Sequence, residues 1–254
     1  MNYGLFALTG VEAEASRKAA WNLHLWLVDK LGVGGTTNAI WIMLGGILLC
    51  MVVPYLLGSI NPAIIFSKLI FHDDIRTHGS GNAGATNTLR TYGKKMAALI
   101  FILDLLKAAL AIIFGSLVLG HSMGGAISGL FVILGHMFPI YYRFKGGKGV
   151  ACFAMVALML SPISFCILVP IFIAIVLLSR YVSLGSVMCV LIYPMIHHAF
   201  YRQEGWITLS GFAMMVLIVF MHRENIKRIM AGTESKLSLG RKRRKKASYE
   251  GEEK

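Results

Sequence analysis

Charge is scarce in this chain. Of its 254 residues only 15% are charged and only 12 are acidic, against 56% apolar. That balance excludes a water-soluble globule, whose surface needs far more ionic groups, and points to a bilayer as solvent. Cysteine is equally sparse. Cys50, Cys152, Cys166 and Cys189 all fall in apolar stretches without CxxC spacing, so they read as inert thiols, and neither a disulfide framework nor a zinc site follows from them. No HExxH helix and no GxxxxGK[ST] loop is present, which removes a zinc hydrolase and a nucleotide-cleaving kinase or ATPase. The apolar residues do not alternate, so a membrane barrel is excluded. The first 20 residues carry Glu12 and Glu14 and no compact apolar core, so no cleavable signal peptide is expected.

What is present is long apolar runs. Crossing a hydrocarbon core of ~30 Å takes ~20 residues of helix, and seven windows meet or approach that: 39–60, 96–119, 125–141, 150–160, 163–178, 184–200 and 206–221. The fourth is the exception. Its eleven residues before Ser161 and Pro162 require borrowed length or a re-entrant element packed against protein. If the N-terminus lies outside, the inner segments collect twenty Lys and Arg, and the outer ones only Arg17, Lys18, Lys30 and Arg202. Positive charge stays inside. The expected fold class is therefore an all-α integral membrane protein, a seven-helix transmembrane bundle with the N-terminus outside and the C-terminus cytosolic.

Three regions follow. Residues 1–38 form an N-terminal extension with a possible interfacial helix placing Trp21, Leu25, Val28 and Leu31 on one face; 39–236 are the transmembrane domain; 237–254 are a basic cytosolic tail expected to be disordered. The tail's "RKRRKK", 241–246, is matched to the anionic lipids of the inner leaflet. No aromatic interleaving or reader motif accompanies it, so nucleic acid is not expected as a partner.

Polar residues concentrate in segments on the side assigned as inside. "HGSGNAGATNTLR", 78–90, combines glycines that permit positive φ with Ser80, Asn82, Thr86 and Asn87 as hydrogen-bonding partners and Arg90 as a planar two-pronged cation. That set suits a phosphate, with Gly81 and Gly84 letting backbone amides converge; the alternative is a flexible loop capped before a helix. "GHMFPIYYRFKGGKGVA", 135–151, places Lys145 and Lys148 among Gly146, Gly147 and Gly149 just before an apolar helix, where free N–H groups and the helix dipole favour an anion. "HRENIKRIMAGTESK", 222–236, puts His222 and Asn225 at i, i+3 spacing, able to face one pocket or to serve as interfacial residues. Ser183 and Ser186 either join that pocket or cap a helix. Asp104 and Lys107, three apart inside a span, must pair or line a polar cavity. His121, His136, His197 and His198 show no metal-ligand spacing, and no metal is expected.

Taken together and in order, "GSGNAGATNTLR", "GHMFPIYYRFKGGKGVA" and "HRENIKRIMAGTESK" resemble the three signature motifs of the bacterial membrane-embedded acyl-phosphate:glycerol-3-phosphate acyltransferases, with "LDLLK" (Asp104, Lys107) between them. The resemblance implies an inner-membrane enzyme with a cytosolic active site and no cofactor. It implies transfer of a fatty acyl group from acyl phosphate to the 1-hydroxyl of glycerol 3-phosphate, yielding lysophosphatidate and inorganic phosphate, with a possible acyl-phosphate-supplying enzyme as partner. On that footing the catalytic set is Ser80, Arg90, Lys148, His222 and Asn225. Ser80, Asn82, Thr86 and Arg90 are expected to hold the acyl-phosphate end, and Lys145 to Gly149 the phosphate of glycerol 3-phosphate. His222 is the expected side-chain base, unless the donor phosphate takes the proton or Ser80 forms an acyl-enzyme; Asp104, Lys107 and Glu234 are structural polar groups. The competing class is a transporter of an organic phosphate or other anion.

Overall fold

The computed structural model describes residues 23–30 and 36–237. Trp21, Leu31 and the basic run at 241–246 lie outside them. Helix is the only regular structure among the described residues. Helix α1 (Leu23–Lys30) lies beside α2 (Thr36–Ser59) and the later α5. Asn61 then caps α3 (Pro62–Phe71), its Oδ1 accepting from Ile64 N at 3.2 Å, with Pro62 in the first turn where a missing N–H costs nothing. After a 3-10 turn at Ile75–Thr77 come α4 (Ala85–Thr91), α5 (Lys94–Leu119), α6 (His121–Met137), a second 3-10 turn at Ile140–Tyr142, α7 (Val150–Leu160), α8 (Pro162–Ser179), α9 (Val182–Phe200), α10 (Gly205–Met221) and α11 (Arg223–Met230).

Each of the seven expected windows coincides with a helix, but their lengths differ. Among the described residues five segments are long and apolar enough to cross a bilayer, and the pair α10–α11, bent by 56°, makes a sixth if counted as one span. The protein is a multi-pass membrane protein. Helix α7, with 11 residues, rises only about 16 Å. Its first residue, Val150, lines one cavity with Phe172 of α8.

Helix α6 occupies the centre, touching α2, α5, α7 and α10. Small residues make that possible, because backbones in lipid associate through close packing rather than through the hydrophobic effect. A Cβ on Gly58 would meet the backbone of Val132, one on Gly135 the backbone of Tyr55, and one on Gly115 the Ser128 side chain and the Gly124 carbonyl. This packing corrects the expected boundary of the third window. Residues 121–124, expected to precede that window as an external connection, sit inside α6, and the turn shrinks to Gly120, at φ 84°. Residues 120–124 also spell GxSxG. The pattern joins two helices and contributes nothing to the polar cavity described below, so it is not the strand-to-helix elbow of a serine hydrolase.

Candidate active site

The first motif folds around Asn87. Its Nδ2 donates to the carbonyls of Ile75 (3.1 Å) and His78 (2.9 Å), and its Oδ1 accepts from the Ser80 amide at 2.9 Å. Both of its donors and one lone pair of its carbonyl go into shaping the loop. Gly79 and Gly81 take φ of 59° and 70° on either side of Ser80, a region that favours glycine. A second tie was not read from the sequence. Asp74 receives both arms of Arg76, at 2.9 and 2.7 Å, while Arg76 Nη1 donates to the carbonyls of Tyr142 and Lys145 at 3.1 and 3.3 Å. Its signal was a carboxylate two residues before an arginine, too common to stand out. This clip joins the first motif to the second, and the Arg76 guanidinium holds the Asp74 carboxyl below the usual carboxylate range.

In the second motif the glycines act differently from expectation. The Gly146 amide donates to Met137 O (3.1 Å) and the Gly147 amide to His136 O (3.0 Å), so neither N–H is free for a phosphate. A Cβ on Gly146 would strike His136 O and Pro139, and one on Gly147 would strike the His136 ring and Ala83 O. Both residues are glycine because the loop lies flat against the end of α6. Gly146, with Lys145 and Gly81, lines a separate outward cleft beside Asp74, Arg76, Thr77 and Arg143, and Gly147 borders neither that cleft nor the main cavity. Gly149, at φ 78°, starts α7. It lines the cavity with Val150 and Ala151, where the first N–H groups of a helix lack internal partners and favour an anion.

Lys148 turns inward and donates to Asn225 Oδ1. Asn225 Nδ2 passes the chain to Glu234 Oε1 at 2.6 Å, which also accepts from Ser183 Oγ at 2.8 Å, while Glu234 Oε2 takes Arg228 Nε at 2.8 Å. Glu234 is thus the anchor of the third motif. Burial opposes its charge, but bonds from Arg228, Asn225 and Ser183 outweigh that and lower its pKa. Burial brings Lys148 down to about 8; Glu234 resists the fall, while Arg228 and Arg90 add to it. His222 sits in the break between α10 and α11 with Nδ1 at 2.8 Å from Ile218 O. A carbonyl only accepts, so Nδ1 holds the proton and Nε2 keeps a lone pair. Burial, then the charge on Lys148, push its pKa down to about 4. Arg90 Nη2 donates to Ser235 O at 3.3 Å, and Ser186 Oγ to Val182 O at 3.0 Å.

Deeper lies a cluster that the sequence reading divided. Lys107 Nζ is 2.7 Å from Asp104 Oδ1, in a Coulombic contact off the hydrogen-bond angle, and donates to Ile60 O at 2.9 Å. His136 Nδ1 is 2.9 Å from the same ammonium. Asp104, His136 and Cys152 bring three ligand-type atoms within 4.8 Å of one another, but the Lys107 ammonium stands against two of them and supplies the positive charge itself. The only sequence signal for His136 was its place in the second motif.

These groups converge on one cavity of about 170 Å³. Ser80, Asn82, Gly84, Thr86, Asn87, Arg90, Asp104, Lys148, Gly149, Ser183, Ser186, His222, Asn225 and Glu234 line it, and so does His136. Of the expected site residues, Gly81, Lys145, Gly146, Gly147 and Lys107 do not. A second cavity, about 220 Å³ and wholly apolar, adjoins the first through Phe101, Val150, Phe172 and Ser186 and runs between α7, α8 and α9. A small polar chamber, holding Arg90 and Lys148 as well as Asp104 and Glu234, thus adjoins a lipid-compatible groove. It can hold an oxyanion at one end of an amphiphile and keep the tail out of water.

Known proteins resemble this chain in sequence and in fold. A sequence profile described as Glycerol-3-phosphate acyltransferase matches residues 48–232. A glycerol-3-phosphate acyltransferase of Thermoanaerobacter sp. (strain X514) is 41% identical over 189 residues, covering 74% of this chain and 94% of that one. One from Sinorhizobium medicae (strain WSM419) is 43% identical over 191 residues, covering 75% and 92%. The crystal structure of PlsY (YgiH), an integral membrane glycerol 3-phosphate acyltransferase, in its glycerol 3-phosphate form superposes with a TM-score of 0.69 at 34% identity, covering 76% of this chain and 96% of that one. Profile, relatives and fold agree: the chain belongs to the glycerol-3-phosphate acyltransferase family of the PlsY type.

Proposed function

We propose that this protein transfers a fatty acyl group from acyl phosphate to the 1-hydroxyl of glycerol 3-phosphate, releasing lysophosphatidate and inorganic phosphate on the cytosolic side of the cell membrane. The observation that carries this reading is the junction of the two cavities. An acyl phosphate has a tail that belongs in the apolar groove and a head that belongs among Arg90, Lys148 and the start of α7. Its carbonyl then falls near Phe101, Phe172 and Ser186, where chamber and groove meet. Glycerol 3-phosphate enters from the aqueous side. The PlsY structures in glycerol 3-phosphate and lysophosphatidic acid forms support the same pair of small polar acceptor and lipid product. An anion transporter gains no comparable observation.

In the reaction the acceptor hydroxyl oxygen attacks the acyl carbon, the acyl–phosphate C–O bond breaks, and phosphate departs with the bonding pair. Phosphate is a good leaving group, so the enzyme's task is to align the reactants and neutralise charge. Arg90, with Ser80 and Thr86, grips the donor head. Lys148, aimed by Asn225 and thereby by Glu234, binds a phosphate oxygen beside the α7 N-terminus. The proton takes a different course from the sequence-based expectation. A histidine held near pKa 4 is a weak base at neutral pH, so the departing phosphate accepts the hydroxyl proton, while neutral His222 receives a hydrogen bond at Nε2 and orients the acceptor. Ser80, with no histidine bonded to it among the described residues, holds the donor rather than forming an acyl-enzyme.

Purified protein in lipid nanodiscs, given palmitoyl phosphate and labelled glycerol 3-phosphate, is expected to form labelled lysophosphatidate, and palmitoyl-CoA is expected to give none. Product from acyl-CoA alone, or from neither donor, contradicts the proposal.

A further inference from the structure

His136 is 3% exposed and lies at the floor of the polar chamber. Its ring is held from three directions. On one side the Lys107 ammonium stands 2.9 Å from Nδ1, itself fixed by the Ile60 carbonyl at 2.9 Å and by Asp104 at 2.7 Å. On another, the ring packs against the Cα of Gly147, where any side chain would overlap it. Behind, the His136 carbonyl receives the Gly147 amide at 3.0 Å, so loop and histidine are braced together.

This geometry selects one protonation form. An ammonium has three N–H donors and no lone pair, so Nδ1 must be the acceptor. Nδ1 also lies 3.3 Å from Asp104 Oδ1, but that contact lacks hydrogen-bond geometry, and a proton on Nδ1 would stand against the N–H groups of Lys107 at 2.9 Å. The shorter contact places the proton on Nε2. That atom rests beside the Gly147 Cα, has no protein partner among the described hydrogen bonds, and is not among the fully enclosed unsatisfied atoms. Of the three cavities described, His136 borders only the polar chamber.

We infer that His136 is a neutral oxyanion donor, presenting Nε2–H to a negatively charged oxygen of the bound substrates. The inference deepens the acyltransferase reading and rests on it. It also gives Gly147 a purpose other than binding phosphate through its amide: glycine there makes room for the imidazole. Two oxygens fit the chemistry, a phosphate oxygen of either substrate and the carbonyl oxygen that becomes anionic as the tetrahedral centre forms. A neutral donor beside a buried lysine adds hydrogen bonding without a further desolvated charge.

The test compares His136→Gln, whose amide N–H reaches toward the Nε2 position, with His136→Asn, which is shorter, and His136→Leu, which has no donor. Each is purified, its thermal unfolding is compared with wild type, and inorganic phosphate affinity is measured by calorimetry alongside turnover. The expected result is that Gln stays within about tenfold of wild type in kcat/KM, while Asn and Leu, still folded, lose on the order of 10²-fold. Loss carried by phosphate affinity and KM assigns the donor to a phosphate. Loss carried by kcat with unchanged KM assigns it to the developing oxyanion. The inference is overturned if folded Asn and Leu variants match wild type in both readouts, or if Gln falls as far as Leu. Failure of the acyltransferase reading looks different: wild-type protein would make no lysophosphatidate, and phosphate affinity would still report on the donor.

Discussion

Lys148 and His222 share one chamber, and burial moves both away from their ordinary ionisation. Lys148 at about 8 is still largely ammonium at neutral pH and loses its charge as pH rises through that value. Since kcat/KM reports the free enzyme, it should fall above pH about 8. Glu234→Gln removes the carboxylate that supports the ammonium, so this limb should shift to lower pH; a limb unmoved by that change would dissociate Lys148 from it. Lys148→Met should reduce kcat/KM by about 10²-fold or more. His222→Gln should stay within about tenfold, because only a hydrogen bond is altered and no catalytic base is lost. A loss on the order of 10⁴-fold, the upper end for general-base catalysis, would restore His222 to that role. At this scale the sequence was informative about residue type and weak about direction. Ser80, Arg90, Lys148, His222 and Asn225 all reach the chamber. Asn87 lines it too, but its amide is engaged by three backbone partners, and no spacing rule reveals whether an asparagine points at a ligand or at its own loop.

Among the elements, the glycine loop and α7 gain the clearest meaning from three dimensions. A GGKG stretch before an apolar helix reads as a phosphate cradle, yet the Gly146 and Gly147 amides already bond to the end of α6. Their requirement is space. Gly147→Ala should therefore act as overpacking, costing about 1–3 kcal/mol of stability and lowering turnover along with the melting temperature. The alternative, an intact fold with only the Michaelis constant for glycerol 3-phosphate raised, would return the loop to direct phosphate binding. Gly149 alone meets the original expectation of a glycine at the mouth of a helix N-terminus. Helix α7 was legible as too short to cross, since its eleven residues end at Ser161 and Pro162. That it walls an apolar groove was not, because the groove depends also on Phe165, Leu168 and Cys189 from neighbouring helices. Ala157 lies on the groove wall, well along α7 from the chamber. Ala157→Trp should depress kcat/KM for palmitoyl phosphate far more than for a short-chain donor; equal depression would argue against the groove as the tail's path.

Across the whole molecule, seven apolar segments carry four polar connections to one end, where a single chamber draws on all of them. Apolar length made the helical, multi-pass architecture readable, because it follows from bilayer thickness alone. The centre of the bundle was less readable. Gly58, Gly115, Gly124 and Gly135 carry no signal of their partners in sequence and act as flat contact surfaces between α6 and its neighbours, a role visible only once backbones meet. The account depends on one amphiphile lying with its head in the chamber and its tail between α7, α8 and α9. The most direct measurement is photo-crosslinking with a non-hydrolysable acyl phosphonate carrying a diazirine near the chain end, with adducts located by mass spectrometry. Label is predicted on the groove wall, at Ala154, Ala157, Phe165 or Val169, and competed away by palmitoyl phosphate. Label concentrated instead on the outward faces of α2 and α5, and unaffected by competitor, would contradict it.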